Sequence, residues 1–101
     1  MPAACRIGHA DVPHCSGMTR AEGTASVLVN GIKWSCKNHK NTPHLKPCPP
    51  PPPCCIHTQV ISLGSTSVFV ETRGAGRVYD DVGGGDCTSV AEGSPNVFAG
   101  G

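Results

Sequence analysis

Aromatic residues are almost missing from this chain: its 101 residues include two Phe, one Trp and one Tyr. A single domain of this length buries only about two-thirds of its unfolded surface, so with so little bulky apolar volume its core must be thin. Helical periodicity is also missing, which excludes an amphipathic helical bundle. The longest apolar runs, Val27 to Val29 and Val68 to Val70, fall far short of the roughly 20 residues that span a bilayer, and a soluble chain is expected. The formal net charge is +1 without a Lys/Arg run, so no footprint for nucleic acid or anionic lipid is expected. The first ten residues lack a basic segment followed by an apolar stretch. No secretory signal is readable there, a thiol-reducing compartment is expected, and metal is favoured over disulfides as the staple. Paired Cys-x-x-Cys motifs, the mark of many zinc fingers, are absent as well.

Present instead are seven Cys, five His, 13 Gly and 10 Pro. Small domains with too little core are commonly held by metal or disulfides. The chain also repeats itself. Glu22-Gly23-Thr24-Ala25-Ser26-Val27-Leu28-Val29-Asn30-Gly31 is echoed by Leu63-Gly64-Ser65-Thr66-Ser67-Val68-Phe69-Val70, and again by Glu92-Gly93-Ser94-Pro95-Asn96-Val97-Phe98-Ala99-Gly100. Each copy reads as a short β-branched strand after a Gly-Ser/Thr turn, and Asn30-Gly31 predicts a tight type I′ hairpin returning through Ile32 to Ser35. In the second copy a looser connection, Glu71 to Gly76, is expected before a return at Arg77 to Tyr79. The third copy has no return, whereas Pro2 to Gly8 reads as a returning strand without a partner. The sequence therefore predicts that Val97 to Ala99 pairs with Cys5 to Ile7.

The expected architecture is all-β: a single 1–101 domain forming a small cone of three short hairpin repeats around a pseudo-threefold axis, with metal at the apex. The repeat units are about 2–31, 32–73 with a proline-rich insertion at 47–55, and 74–101. Alternation places Leu28, Phe69 and Phe98 on one strand face and the flanking Val27/Val29, Val68/Val70 and Val97/Ala99 on the other. One set fills the core and the other forms an apolar base, without the sequence saying which. Pro49 to Pro53 reads as polyproline II acting as a rigid spacer.

His9-Ala10-Asp11-Val12-Pro13-His14 and His39-Lys40-Asn41-Thr42-Pro43-His44 share one spacing. Equivalent repeat positions converge, so His14 and His44 are expected to meet Cys87, which ends the corresponding third loop. A closed tetrahedral site needs a fourth ligand, and the insertion offers His57. Three imidazoles with one thiolate suit Zn²⁺, and Fe²⁺ is compatible. His9 and His39 read as loop or hydrogen-bonding residues, since Asp80 occupies their place in the third unit. Cys5, Cys15 and Cys36 read as small apolar or partly exposed thiols, and Cys48, Cys54 and Cys55 are open to metal or oxidation.

Pro2-Ala3-Ala4-Cys5-Arg6-Ile7-Gly8, the Gly-Ser-x-x-Val-Phe strands and the set His14, His44, His57 and Cys87 together resemble the PAAR-repeat spike-tip proteins over essentially the whole chain. His9, standing where the family has Asp, and Trp34 to Asn38 depart from the pattern. The resemblance implies a monomer that caps and sharpens a homotrimeric β-helical spike, one copy per trimer through the apolar base. It also implies transient contact with a target membrane. The location implied is the tip of a contractile-tail baseplate in a virion, the ending being closer to phage versions; the alternative is the secreted spike of a type VI secretion machine. No enzyme activity is expected, because Glu22 and Glu92 belong to turns and supply no general base. A reading of another class is a free metal-binding or thiol regulatory protein using Cys48, Cys54 and Cys55.

Overall fold

The computed structural model describes residues 1–13, 15–47, 54–83 and 88–100. Among them there is no helix, and the strands form four small antiparallel pairs. The pairs are β1 (Leu28–Val29) with β2 (Ile32–Lys33), β3 (His44–Pro47) with β4 (Cys54–His57), β5 (Phe69–Val70) with β6 (Arg73–Gly74), and β7 (Asp81–Val82) with β8 (Thr88–Ser89).

Asn30 and Gly31 join β1 to β2 with φ of 53° and 80°, the left-handed pair that a type I′ turn requires. The second repeat corrects the sequence reading. Its turn is just as tight, at Glu71 (φ 51°) and Thr72 (φ 68°), and the chain returns at Arg73–Gly74 instead of Arg77 to Tyr79. Neither residue favours that conformation, and tertiary bonds impose it. The Glu71 carboxylate accepts the Ser26 N–H at 2.7 Å, the Ala25 N–H at 3.4 Å and the Ser26 hydroxyl.

The two chain ends meet at an Ala3↔Phe98 bridge, with Ala4 N–H donating to Val97 O at 2.8 Å and Ala99 N–H to Pro2 O at 3.0 Å. That register lies earlier than the expected Cys5 to Ile7. Those residues are committed elsewhere: Cys5 N–H bonds Gly76 O and Ile7 N–H bonds Lys33 O, both at 3.1 Å.

The same backbone bonds recur in all three repeats. Ala4, Trp34 and Ala75 donate to Val97, Val27 and Val68; Gly8, Asn38 and Tyr79 donate to Arg20, Ile61 and Val90. Links between repeats run in a ring. Ala21 and Glu22 donate to Lys40 O, Ser62 to Asp81 O, and Ala91 and Glu92 to Ala10 O. Side chains repeat the ring at the hairpin tips, where Asn30 Oδ1 accepts the Ser94 hydroxyl at 2.6 Å, Glu71 holds Ser26, and Gly100 O accepts the Ser65 hydroxyl at 2.5 Å. The glycines that align the repeats are close-contact positions. A Cβ on Gly23, Gly64 or Gly93 would approach Lys33 Cβ (2.8 Å), Gly74 O (2.6 Å) or Val78 Cγ2 (2.7 Å).

Burial settles the strand faces. Val29, Val70 and Ala99 are buried with Ala4, Trp34, Cys36 and Ala75, while Val27, Val68 and Val97 pack at the edge of that cluster. Leu28, Phe69 and Phe98 stay 55%, 63% and 48% exposed. A second apolar cluster comprises Cys5, Ile61, Val82 and Val90. Repeat position explains a charged group buried among them: Arg20, in the first unit, is the counterpart of Ile61 and Val90. Its guanidinium faces the buried Asp11 carboxylate at 3.5 Å. Removing one partner leaves the other charged and dehydrated, so Asp11→Ala is expected to cost about 3–5 kcal/mol in a denaturant melt.

Candidate metal centre

In β3–β4, His44 and His57 are direct register partners. Their ring centroids lie 4.3 Å apart with planes inclined at 59°. Cross-strand neighbours project on the same face, which is how residues 13 apart in sequence come together. His44 is buried, and its Nδ1 lies 2.7 Å from Thr42 O. A carbonyl only accepts, so Nδ1 carries a proton; in the neutral ring this leaves the lone pair on Nε2, the tautomer that binds a metal. His57 Nδ1 sits 3.2 Å from the Gln59 side-chain amide. The atom facing it is the amide nitrogen, which only donates, so Nδ1 accepts and Nε2 carries the ring proton. Turning the Gln59 amide by 180° would present its oxygen, move the proton to Nδ1 and free the Nε2 lone pair for a metal.

A polar network lies behind the pair. Gln59 N–H donates to Asn41 Oδ1 at 2.8 Å, Asn41 Nδ2 donates to Asp11 Oδ2 at 3.0 Å, and Arg20 donates to Gln59 O at 3.3 Å. Asn41 and Asp11 occupy the same place in the two His-x-Asx-x-Pro-His segments, a repetition whose role in tying the loops together the sequence reading overlooked.

His14 and Cys87 lie outside the described residues. The segments that carry them are fixed where they begin and end: Val12 N–H bonds Ser89 O, Thr42 N–H bonds Thr19 O, and Gly83 N–H bonds Val60 O, at 2.8–2.9 Å, while the Thr88 hydroxyl donates to Val12 O. Val12, Thr42 and Gly83 are thus equivalent anchors. His14 and His44 each follow their anchor by two residues. Counted the same way along the sequence, their third-unit counterpart is Gly85, and Cys87 directly precedes Thr88.

His9 and His39 hold backbone turns. Their Nδ1 atoms accept the Arg6 and Cys36 N–H groups at 3.0 and 2.8 Å. Asp80 does the same for Arg77 N–H at 2.8 Å, so a carboxylate is the third counterpart that the sequence reading found lacking. Burial, and then Arg6 or Arg73, lowers both histidine pKa values. The stabilisation they contribute is therefore present above the unfolded-chain value near 6.5 and is lost as pH falls through the lower folded values.

Cys5 and Cys36 are buried free thiols. Burial raises both pKa values, that of Cys36 to about 11, so each stays protonated. Cys15 overturns its reading as a free thiol, because it is disulfide-bonded. The expectation of a thiol-reducing compartment is therefore a poor guide to the state of this sulfur. The side chains of Cys54 and Cys55, and all of Cys48 and Pro49 to Pro53, are outside the described residues.

The chain matches no protein-family model and no curated protein.

Proposed function

We propose that this chain is the terminal cap of a trimeric β-helical spike, a cone of PAAR-repeat type whose three loops grip one Zn²⁺ through His14, His44, His57 and Cys87. Fe²⁺ satisfies the same donors. The observation that carries the proposal is the equivalence of Leu28, Phe69 and Phe98. All three are exposed, and all follow the Val residues that accept the same repeated backbone bond. A soluble monomer gains nothing from three greasy side chains at related positions, whereas a threefold-symmetric trimer end offers three identical places to receive them. One cap per trimer follows, and the cap also covers the strand edges that end a β-helix.

The role is mechanical. The metal replaces the missing core at the narrow end, while the ring of hydrogen bonds makes the broad end a rigid seat. On this reading the cap rides at a contractile-tail baseplate tip and meets the target envelope transiently; mounting on a type VI secretion spike uses the same surface.

Burying a Phe side chain contributes about 1.5–3 kcal/mol. Phe69→Glu and Phe98→Glu are each expected to abolish capture of a co-expressed trimeric spike fragment while leaving the isolated monomer folded. Size-exclusion chromatography with light scattering reads the one-to-three stoichiometry. Undiminished capture by the double variant would remove the apolar base from the proposal.

A further inference from the structure

The sequence shows no basic run, yet the fold gathers one. Lys33, Lys40 and Arg73 line a cavity of about 590 Å³ together with Ile7, Glu22 and His39. Lys33 and Lys40 are exposed, and Arg73 is held in place by its bond to Lys37 O at 3.2 Å. The Glu22 carboxylate on the same wall accepts the Lys40 N–H at 2.8 Å, so part of its charge is already engaged by the backbone. His39 Nδ1 accepts the Cys36 N–H, which leaves Nε2–H as the donor that its ring offers to the cavity.

The repeat supplies an internal comparison. The bond equivalences put Asp80 and Asp81 in the second groove where His39 and Lys40 stand in the first, and His9 and Ala10 there in the third. Gly74 and Ala3 replace Lys33, and Pro2 and Ile32 replace Arg73. One groove of three therefore carries three cations and a neutral imidazole donor, while its counterparts are acidic or nearly uncharged. Seating on a threefold partner does not call for such asymmetry.

We infer that the groove between the first and second repeats binds phosphate groups, either as free polyphosphate or displayed on a lipid headgroup. Converging ammonium and guanidinium groups in a concave wall concentrate multivalent anions, and Arg73 adds a planar fork that engages two phosphate oxygens at once. The inference does not rest on the cap reading: it is argued from Lys33, Lys40, Arg73 and His39 and not from the apolar side chains, although Lys33 is the register partner of Leu28 and Arg73 that of Val70, next to Phe69.

The test is calorimetric titration of the full chain with inorganic pyrophosphate at low salt. Binding is expected, weakened at least about tenfold by Lys33→Ala with Lys40→Ala. Tyr79→Glu is the charge control: Tyr79 is 83% exposed in the position equivalent to Asn38, and this change lowers net charge without touching the groove. It is expected to bind nearly as tightly as the parent. Flotation with phosphatidylcholine vesicles, with and without phosphatidic acid, separates the sources. Flotation that needs phosphatidic acid and is lost in the lysine double variant assigns the site to headgroups, and pyrophosphate binding without flotation assigns it to free phosphates. Absence of pyrophosphate binding, or equal weakening in Tyr79→Glu, overturns the inference. Melting curves of each variant confirm that it is folded.

Discussion

Gly76→Ala is expected to prevent folding or to lower the melting temperature by about 10 °C or more. A Cβ at this position would lie 1.9 Å from Ser35 O and 2.9 Å from Cys5 Sγ, and the nearest obstacle is backbone, which has no rotamer to escape through. Gly76 sits where the three repeats converge. Its carbonyl accepts Cys5 N–H at 3.1 Å and Trp34 Nε1–H at 2.9 Å, and Cys5 O in turn accepts Ser35 N–H at 3.0 Å. Cys5, Ser35 and Gly76 are equivalent positions, and the ring closes only if one of the three has no side chain. Forcing a methyl into a packed site costs about 1–3 kcal/mol, and more where backbone must move. For a domain of this size each kcal/mol shifts melting by about 4–8 °C. Gly17→Ala is the control, since nothing lies within 4 Å of its Cβ position and little change is expected. A circular-dichroism melt of Gly76→Ala that superimposes on the parent would show that the repeats do not meet there.

Local chemistry made the all-β class readable. Asn30-Gly31 announces its own turn, and the Val-rich segments after Gly23, Gly64 and Gly93 announce strands. Glu71-Thr72 announces nothing, because its left-handed backbone is imposed by bonds to Ser26 in another repeat; hence the second return strand was placed too late. The terminal pairing was misplaced for a related reason. Cys5 to Ile7 has the alternation of a strand, but its N–H groups are taken by Gly76 and Lys33, and no pattern in one segment reports a bond to another. Strand faces were ambiguous because Val, Leu and Phe occupy both sides, and only the packing of Trp34 and Ala75 shows that Val29 and Val70 point inward.

At the candidate site, spacing singled out His44 and His57, and the β3–β4 register brings them together. The repeated Asp11 and Asn41 were visible in the same segments, yet their connection to Gln59 and Arg20 needs the fold. Asp80 shows the limit of matching by residue type, for it caps a turn as His9 and His39 do while sharing no atom type with imidazole at the bonding position. The basic groove was unreadable for the same reason as the turns: Lys33, Lys40 and Arg73 are scattered in sequence, and ring closure alone makes them neighbours.

His44→Ala and Cys87→Ser are each expected to drop bound metal from one ion per chain to well below stoichiometric, with a large loss of stability. Structural zinc contributes on the order of 10–16 kcal/mol in small domains, comparable to the whole net stability of about 5–15 kcal/mol. With four aromatic residues in the chain, little apolar burial is available to offset that loss. Element analysis after dialysis reads the metal, a thermal melt reads the stability, and chelation of the parent chain should reproduce the variants' melt. His9→Asp serves as the discriminating control. Asp80 already performs the turn-capping role with a carboxylate, so this variant should keep both metal and fold although it too removes a histidine. The two kinds of histidine thereby separate. If His44→Ala retains a full equivalent of metal, the facing imidazoles of β3 and β4 are a packing pair and the proposed ligand set is wrong.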